Sequence, residues 1–184
     1  MVLYMILAII ILVVIVVISM YNGLVILRNR IKNAWSQIDV QLKRRYDLIP
    51  NLVNVCKGYM DFEKDVLESV IKARGQAIDV KGGAAEQAKA ENFLTQTLRS
   101  LFAVVENYPD LKANQNMLSL QEELTSTENK ISFSRQHYND QVMQYNTQIE
   151  TFPTNMVANT FNFKREEFFE IDDGAQRNAV KVQF

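Results

Sequence analysis

Residues 2 to 18, VLYMILAIIILVVIVVI, are unbroken apolar sequence, and no charged side chain appears before Arg28. At about 1.5 Å of rise per residue, a helix over this run nearly crosses a hydrocarbon core of ~30 Å, with Ser19 to Leu27 in reserve. A cleaved signal peptide would show a basic leading segment and a small-residue cleavage site, and neither is present. No Cys follows the run, so a lipoprotein anchor is excluded. The pattern predicts an uncleaved single-pass anchor over 1–27.

Beyond the anchor the period changes to that of packed helices. Leu24, Ile31, Ile38 and Trp35, Leu42, Ile49 fall on two interleaved seven-residue series, with Arg30, Lys32, Asn33, Gln37 and Lys43 facing outward. A second series holds Leu52, Cys56, Tyr59, Val66 and Val70, supported by Val55, Leu67 and Ile71, and ends at VKGG, residues 80 to 83. A third predicted helix runs from Ala84 to about Glu106 on Ala88, Phe93, Leu94, Leu98, Leu101, Phe102 and Val105. Pro109 stops it, and Asp110 suits the cap of the next helix. The fourth, from Leu111 to Thr151, steps by three and four from Met117 through Thr127, Ser134, Tyr138 and Tyr145 to Phe152. Two consecutive steps of four at Ser134, Tyr138 and Val142 make a stutter that relaxes a left-handed supercoil. Polar seam positions such as Thr127 fix register between helices, or simply satisfy their hydroxyls locally.

From Pro153 the period is lost. A short helix fits Met156 to Thr160, and FNF, FFEI and VKVQF place apolar residues around an IDDG turn as a strand pair or an extended arm. The predicted fold is therefore all-α. An N-terminal transmembrane helix continues into an antiparallel, coiled-coil-like four-helix bundle over 28–152, and a partly extended tail covers 153–184.

Charge adds orientation. Arg28, Arg30 and Lys32 lie just past the span while MVLY carries no Lys or Arg, which predicts the N-terminus outside and the bundle in the cytoplasm. Those three residues also suit anionic headgroups, and Tyr4 and Tyr21 bracket the run as an interfacial belt. Lys+Arg 20 against Asp+Glu 21 leaves no global field for nucleic acid. The three adjacent cations Lys43, Arg44 and Arg45 precede Asp47 and Pro50. On a straight rod Arg45 lies about 25 residues past the apolar run, ~35–40 Å from the membrane core, which disfavours a headgroup clamp. Pro50 disfavours helical geometry at Ile49, and Asp47 suits a new cap, so these five residues read as a corner between two helices and a candidate interface.

The stretches YNGLVILRNRIKNAWSQIDVQLKRRYDLIPNLV, GYMDFEKDVLESVIKAR, YPDLKANQNMLSLQEELTSTENKISFSRQHYND and YNTQIETFP occur in an order that closely resembles the LemA family of bacterial membrane proteins. The resemblance implies a short transmembrane helix, an α-helical bundle and a cytoplasmic body at the bacterial cell membrane. It brings no catalytic residues. Relatives are linked to the cell envelope, and one branch to magnetosome membrane formation. The family pattern often has a small residue between two Phe where this chain reads FNF at 161–163.

A search for reactive constellations finds little. The single His, His137, has Ser134 rather than Glu three residues before it, so the Glu-x-x-His of di-metal bundles is missing. Glu122, Glu123 and Glu128 point to different helix faces and read as a charged surface. Cys56 reads as a small buried apolar side chain. There is no P-loop, and KGG is a turn. The expectation is a non-enzyme without metal, cofactor or small-molecule substrate. Its partners are the lipid bilayer, copies of itself and other membrane proteins. It acts either as a self-associating membrane scaffold or as an adaptor for an envelope protease or a lipid-handling protein.

Overall fold

Helix α1 spans Val2–Lys57 without interruption. In the computed structural model, residues 1–60 and 63–170 are described, and they are helical with no strand among them. After α1 come α2 (Lys64–Ile78), α3 (Ala84–Val105), the single turn α4 (Pro109–Lys112), α5 (Gln115–Glu150) and α6 (Thr154–Thr160). Residues 161–170 then run without regular structure, so no strand pair forms there; the IDDG turn and VKVQF lie outside the described residues.

The corner expected at Lys43–Pro50 is absent: α1 carries Pro50 inside it and ends only at Lys57. Proline in a helix removes the N–H that would bond the carbonyl four residues back, here that of Tyr46. That carbonyl is not lost, because Arg74 on α2 donates its Nε–H to it at 2.7 Å. The pyrrolidine ring is solvent-exposed while Ile49 is fully buried, so the helix continues where local preference would end it. Asp47 caps nothing; it is an exposed mid-helix residue. At the next junction Asn114, not Asp110, is the cap, its Oδ1 accepting from the amides of Asn116 and Met117 at 2.9 and 3.2 Å.

The chain divides into two compact units. One gathers Asp39–Phe133 with the described residues 168–170. Its core joins Ile49, Leu52, Cys56, Leu67, Val70, Leu94, Leu98, Leu101, Leu111, Met117 and Leu124. Tyr59, Ile71 and Phe93, placed on seams by spacing, are exposed instead. The buried thiol of Cys56 is pushed up to about 11 by desolvation.

The other unit gathers Met1–Ile38 with Ser134–Glu167. Leu24, Ile31, Ile38, Tyr138, Val142, Tyr145 and Ile149 are buried, while the apolar run from Val2 is open along its length. Trp35 packs edge-on against Tyr138 with centroids 5.5 Å apart, and Gln148 lines a cavity with Ser19, Met20, Gly23 and Leu24. Advancing along α1 thus means retreating along α5. After α6 the chain turns at Asn162, whose φ of 56° is left-handed. The amide of Phe163 reaches the carbonyl of Ala158 and that of Asn162 reaches Asn159, the paired bonds of a Schellman cap. Asn tolerates this conformation better than other side-chain-bearing residues, which is how the Asn of FNF can close the helix.

The segment after this cap is held by side chains. Tyr145 and Tyr138 donate to the carbonyls of Lys164 and Glu167 at 3.0 and 2.9 Å. The buried Asn146 pairs both ways with the backbone of Glu166, donating at 2.9 Å and accepting at 3.0 Å, as a neighbouring strand would.

Candidate functional site

The densest polar cluster lies in the unit built from 39–133, and it begins at a seam position. Continuing the spacing of Ile38 and Leu42 toward Ile49 and Leu52 puts residue 45 on the buried stripe, and Arg45 is indeed only 3% exposed. On α3 the same arithmetic from Ala84 and Ala88 toward Leu94 and Leu98 puts Glu91 inside at 1%. The two meet at 3.4 Å, and Arg45 also pairs with Glu128 of α5 at 3.0 Å and donates to Thr95 Oγ1 at 2.8 Å.

Around Glu91 a second set of donors closes in. Tyr46 donates its hydroxyl to one carboxylate oxygen, and Gln87 donates to the same oxygen at 3.1 Å. Gln87 also reaches the Tyr46 hydroxyl and the carbonyl of Ala77, each at 3.1 Å, so the C-terminal turn of α2 is tied in. Four helices thus share one hydrogen-bonded network. Burial pushes the Glu91 carboxyl above its usual value, against the pull of the Tyr46 and Gln87 hydrogen bonds and the Arg45 charge. Burial, with Glu91 beside it, also pushes the Tyr46 phenol upward.

The residues singled out from sequence are placed as follows. Arg44 pairs with Glu123 at 3.6 Å with both side chains half exposed, a contact of small energetic weight. Lys43, Asp47 and Pro50 are exposed, so of the basic triplet only Arg45 enters the buried network. Glu123 and Glu128 are partners of Arg44 and Arg45, whereas Glu122 lies on an open face of α5. In the unit containing residues 1–38, the Arg28 guanidinium sits 5.3 Å from the Phe163 ring, and Arg30 and Lys32 are exposed. The Thr127 hydroxyl bonds its own helix at the Glu123 carbonyl, 2.8 Å away, the local option rather than the interhelical one.

A cavity of about 170 Å³ opens beside the network, lined by Arg45, Thr95, Leu98, Phe102, Leu124 and Glu128 among others. Of its charged groups, Arg45 and Glu128 pair with each other at 3.0 Å, and Arg99 also lines it. Among the described residues no cluster of three or more His, Cys, Asp and Glu side chains is placed to hold a metal ion. Physically, the arrangement fixes helix register, because each buried polar atom has a partner only in this alignment.

Tyrosines give the cluster and the C-terminal segment a pH signature. The Tyr138 phenol is pushed up to about 12, first by burial and then by Glu166 and Glu167. Raised phenols stabilise the fold fully below the unfolded value near pH 10 and lose that contribution as pH rises through the folded value. Urea midpoints of the wild type are therefore expected to fall between about pH 10 and 12, and Tyr138→Phe to remove part of that slope. A slope equal in both proteins would contradict this role for Tyr138.

Fold and site together define an all-helical protein with one helix long and apolar enough to cross a membrane, and a buried ion network within the unit built from 39–133. The chain belongs to the LemA family, whose model matches residues 34–184. It is 27% identical over 152 residues to Protein LemA of Metamycoplasma hominis, covering 83% of this chain and 69% of that one. It is 26% identical over 175 residues to Magnetosome protein MamQ 2 of Paramagnetospirillum magneticum, covering 82% and 64%. Against Magnetosome protein MamQ of Magnetospirillum gryphiswaldense it is 24% identical over 174 residues, covering 81% and 64%. The chain thus spans just under two thirds of the length of the magnetosome proteins it matches.

Proposed function

We propose that the protein is a non-catalytic, membrane-anchored helical scaffold that self-associates at the cytoplasmic face of a bacterial membrane and organises envelope or membrane structure. In this reading the N-terminus lies outside, the helices beyond residue 27 form an antiparallel bundle in the cytoplasm, and Arg30 and Lys32 face anionic headgroups. One observation carries the self-association. The α5 residues Leu118, Glu122, Thr125, Asn129 and Phe133 share one open helix face at steps of three and four, with Phe133 73% exposed and Leu118 45%. This is a second helix seam, opposite in character to the buried one, and a copy of the same chain would cover it. The likeness to magnetosome proteins is what supports the membrane side of this reading.

Chemical crosslinking and sizing in mild detergent test the proposal. A defined oligomer is expected, and Phe133→Glu should shift it to the monomer without altering helical content. A wild-type particle that stays monomeric at high concentration would overturn it. Affinity capture from native membranes separates the adaptor reading, which requires one dominant foreign partner rather than further copies of this chain.

A further inference from the structure

We propose that the α5–α6 corner is a second membrane contact, with Phe152, Met156 and Phe161 seated in the interface of the same bilayer that the anchor crosses. The proposal rests on the anchor reading. Four observations carry it, all within the unit formed by Met1–Ile38 and Ser134–Glu167. First, these three side chains are 75%, 62% and 53% exposed, although they crowd into ten residues of the chain. Isolated exposed apolar residues need no explanation, but a cluster does.

Second, the corner is pinned to the end of the apolar run. Phe161 packs on Tyr21 with centroids 4.9 Å apart, and Phe163 packs on the same ring at 5.6 Å. Tyr21 lies three residues past Ile18, roughly 4.5 Å of rise, and a hydrocarbon core of ~30 Å beginning near Val2 ends at about that level. A Tyr at this depth belongs to an aromatic belt, and Phe161 shares its height. Third, Phe152 lies one turn beyond Gln148, which lines a cavity with Ser19, Met20 and Gly23, so it returns to the same end of the anchor. Fourth, the run from Val2 to Ile18, which ends three residues before the Tyr21 that the corner packs on, is itself exposed to solvent over most of its length.

The backbone supports such a seat. The segment that presents the aromatics is tied at both ends: Gln148 donates to Thr154 Oγ1 at 3.2 Å, and the Asn162 cap closes α6. Lys164 and Arg165 follow directly and are exposed, with Arg165 paired to Glu150 at 3.0 Å. Apolar side chains with cations immediately beside them are the pattern of segments that lie in the headgroup region rather than across it.

Site-directed spin labelling of the full chain, reconstituted in phosphatidylcholine–phosphatidylglycerol vesicles, tests this. Cysteines are introduced one at a time at Leu12, Gln136, Phe152, Met156 and Phe161; the buried Cys56 leaves the native chain without a competing site. Gln136 is exposed on α5, about 24 Å along the helix from Phe152, and serves as the aqueous reference. Labels at 152, 156 and 161 should collide severalfold more with oxygen, relative to a water-soluble nickel chelate, than the label at 136, while remaining shallower than the label at 12. A lipid signature at 12 with water-like values at 152, 156 and 161 overturns the corner contact and leaves the anchor intact. Water-like values at 12 as well remove the anchor reading itself. Shielding of the corner from both reagents, with spin–spin broadening that disappears on dilution with unlabelled chain, assigns the corner to another copy and also overturns the proposal.

Discussion

Arg45→Met is expected to lower stability by about 3–5 kcal/mol near neutral pH, because it strands Glu91 at 1% exposure without its cation. Glu128, far more open, can rehydrate when Arg45 goes; Glu91 cannot. The loss should depend on pH in a defined direction. Burial already holds the Glu91 carboxyl above its ordinary value, and removing the guanidinium pushes it further. A group raised in the folded state supports stability below its unfolded value and loses that support as pH rises. The penalty of Arg45→Met should therefore be smallest near pH 4–5 and largest above neutrality. Adding Glu91→Met should recover most of it, since a buried ion pair exchanged for apolar side chains of similar volume is often near neutral. Tyr46 is not orphaned in that double variant, because its hydroxyl still faces the Ala77 carbonyl at 3.4 Å. Urea melts of the four proteins at pH 5 and pH 8 read the cycle. A single-variant loss below 1 kcal/mol, or one that ignores pH, would remove Glu91 as the group at stake.

Arg74→Met should cost about 1–3 kcal/mol, the price of leaving the Tyr46 carbonyl without a donor. The partner variant is Pro50→Ala. It supplies the missing helical N–H to that same carbonyl, so the bond from Arg74 becomes redundant. Arg74→Met should then be markedly cheaper in the Pro50→Ala background than in the wild type, with a coupling of about 1 kcal/mol or more. Additive effects would mean that Arg74 acts through packing rather than through the freed carbonyl.

Both experiments concern the stretch where the sequence was hardest to read. Local rules favoured a corner at Lys43–Pro50, since proline disfavours a helical predecessor and Asp47 suits a cap. The spacing holds the opposite signal if Ile38 and Leu42 are carried on to Ile49, Leu52 and Cys56 as one series instead of starting a second at Leu52. Read that way, it puts position 45 inside, and the same count on the third helix puts position 91 inside. Charge made those positions look like surface, because lone ions are rarely buried. Only a partner of opposite sign reverses that expectation, and no pattern within one helix reveals a partner 46 residues away.

What the sequence by itself determined is the part governed by local periodicity. The apolar run, the helical character of the chain, the turn at VKGG and the short helix near residue 156 follow from hydrophobic spacing and from glycine, and so were readable before any fold was known. The family was readable in the same way, from the order of its motifs. Tertiary structure alone decided that α1 passes through Pro50, that Asn114 rather than Asp110 starts α5, and that Arg45 and Glu91 meet inside. It also decided that Asn146 takes the place of a strand for residue 166. All but the Asn114 cap, whose partners are two and three residues on, turn on satisfying one polar group with another distant in sequence. The cost of burying such a group depends on whether that partner arrives, and only the folded chain brings it there.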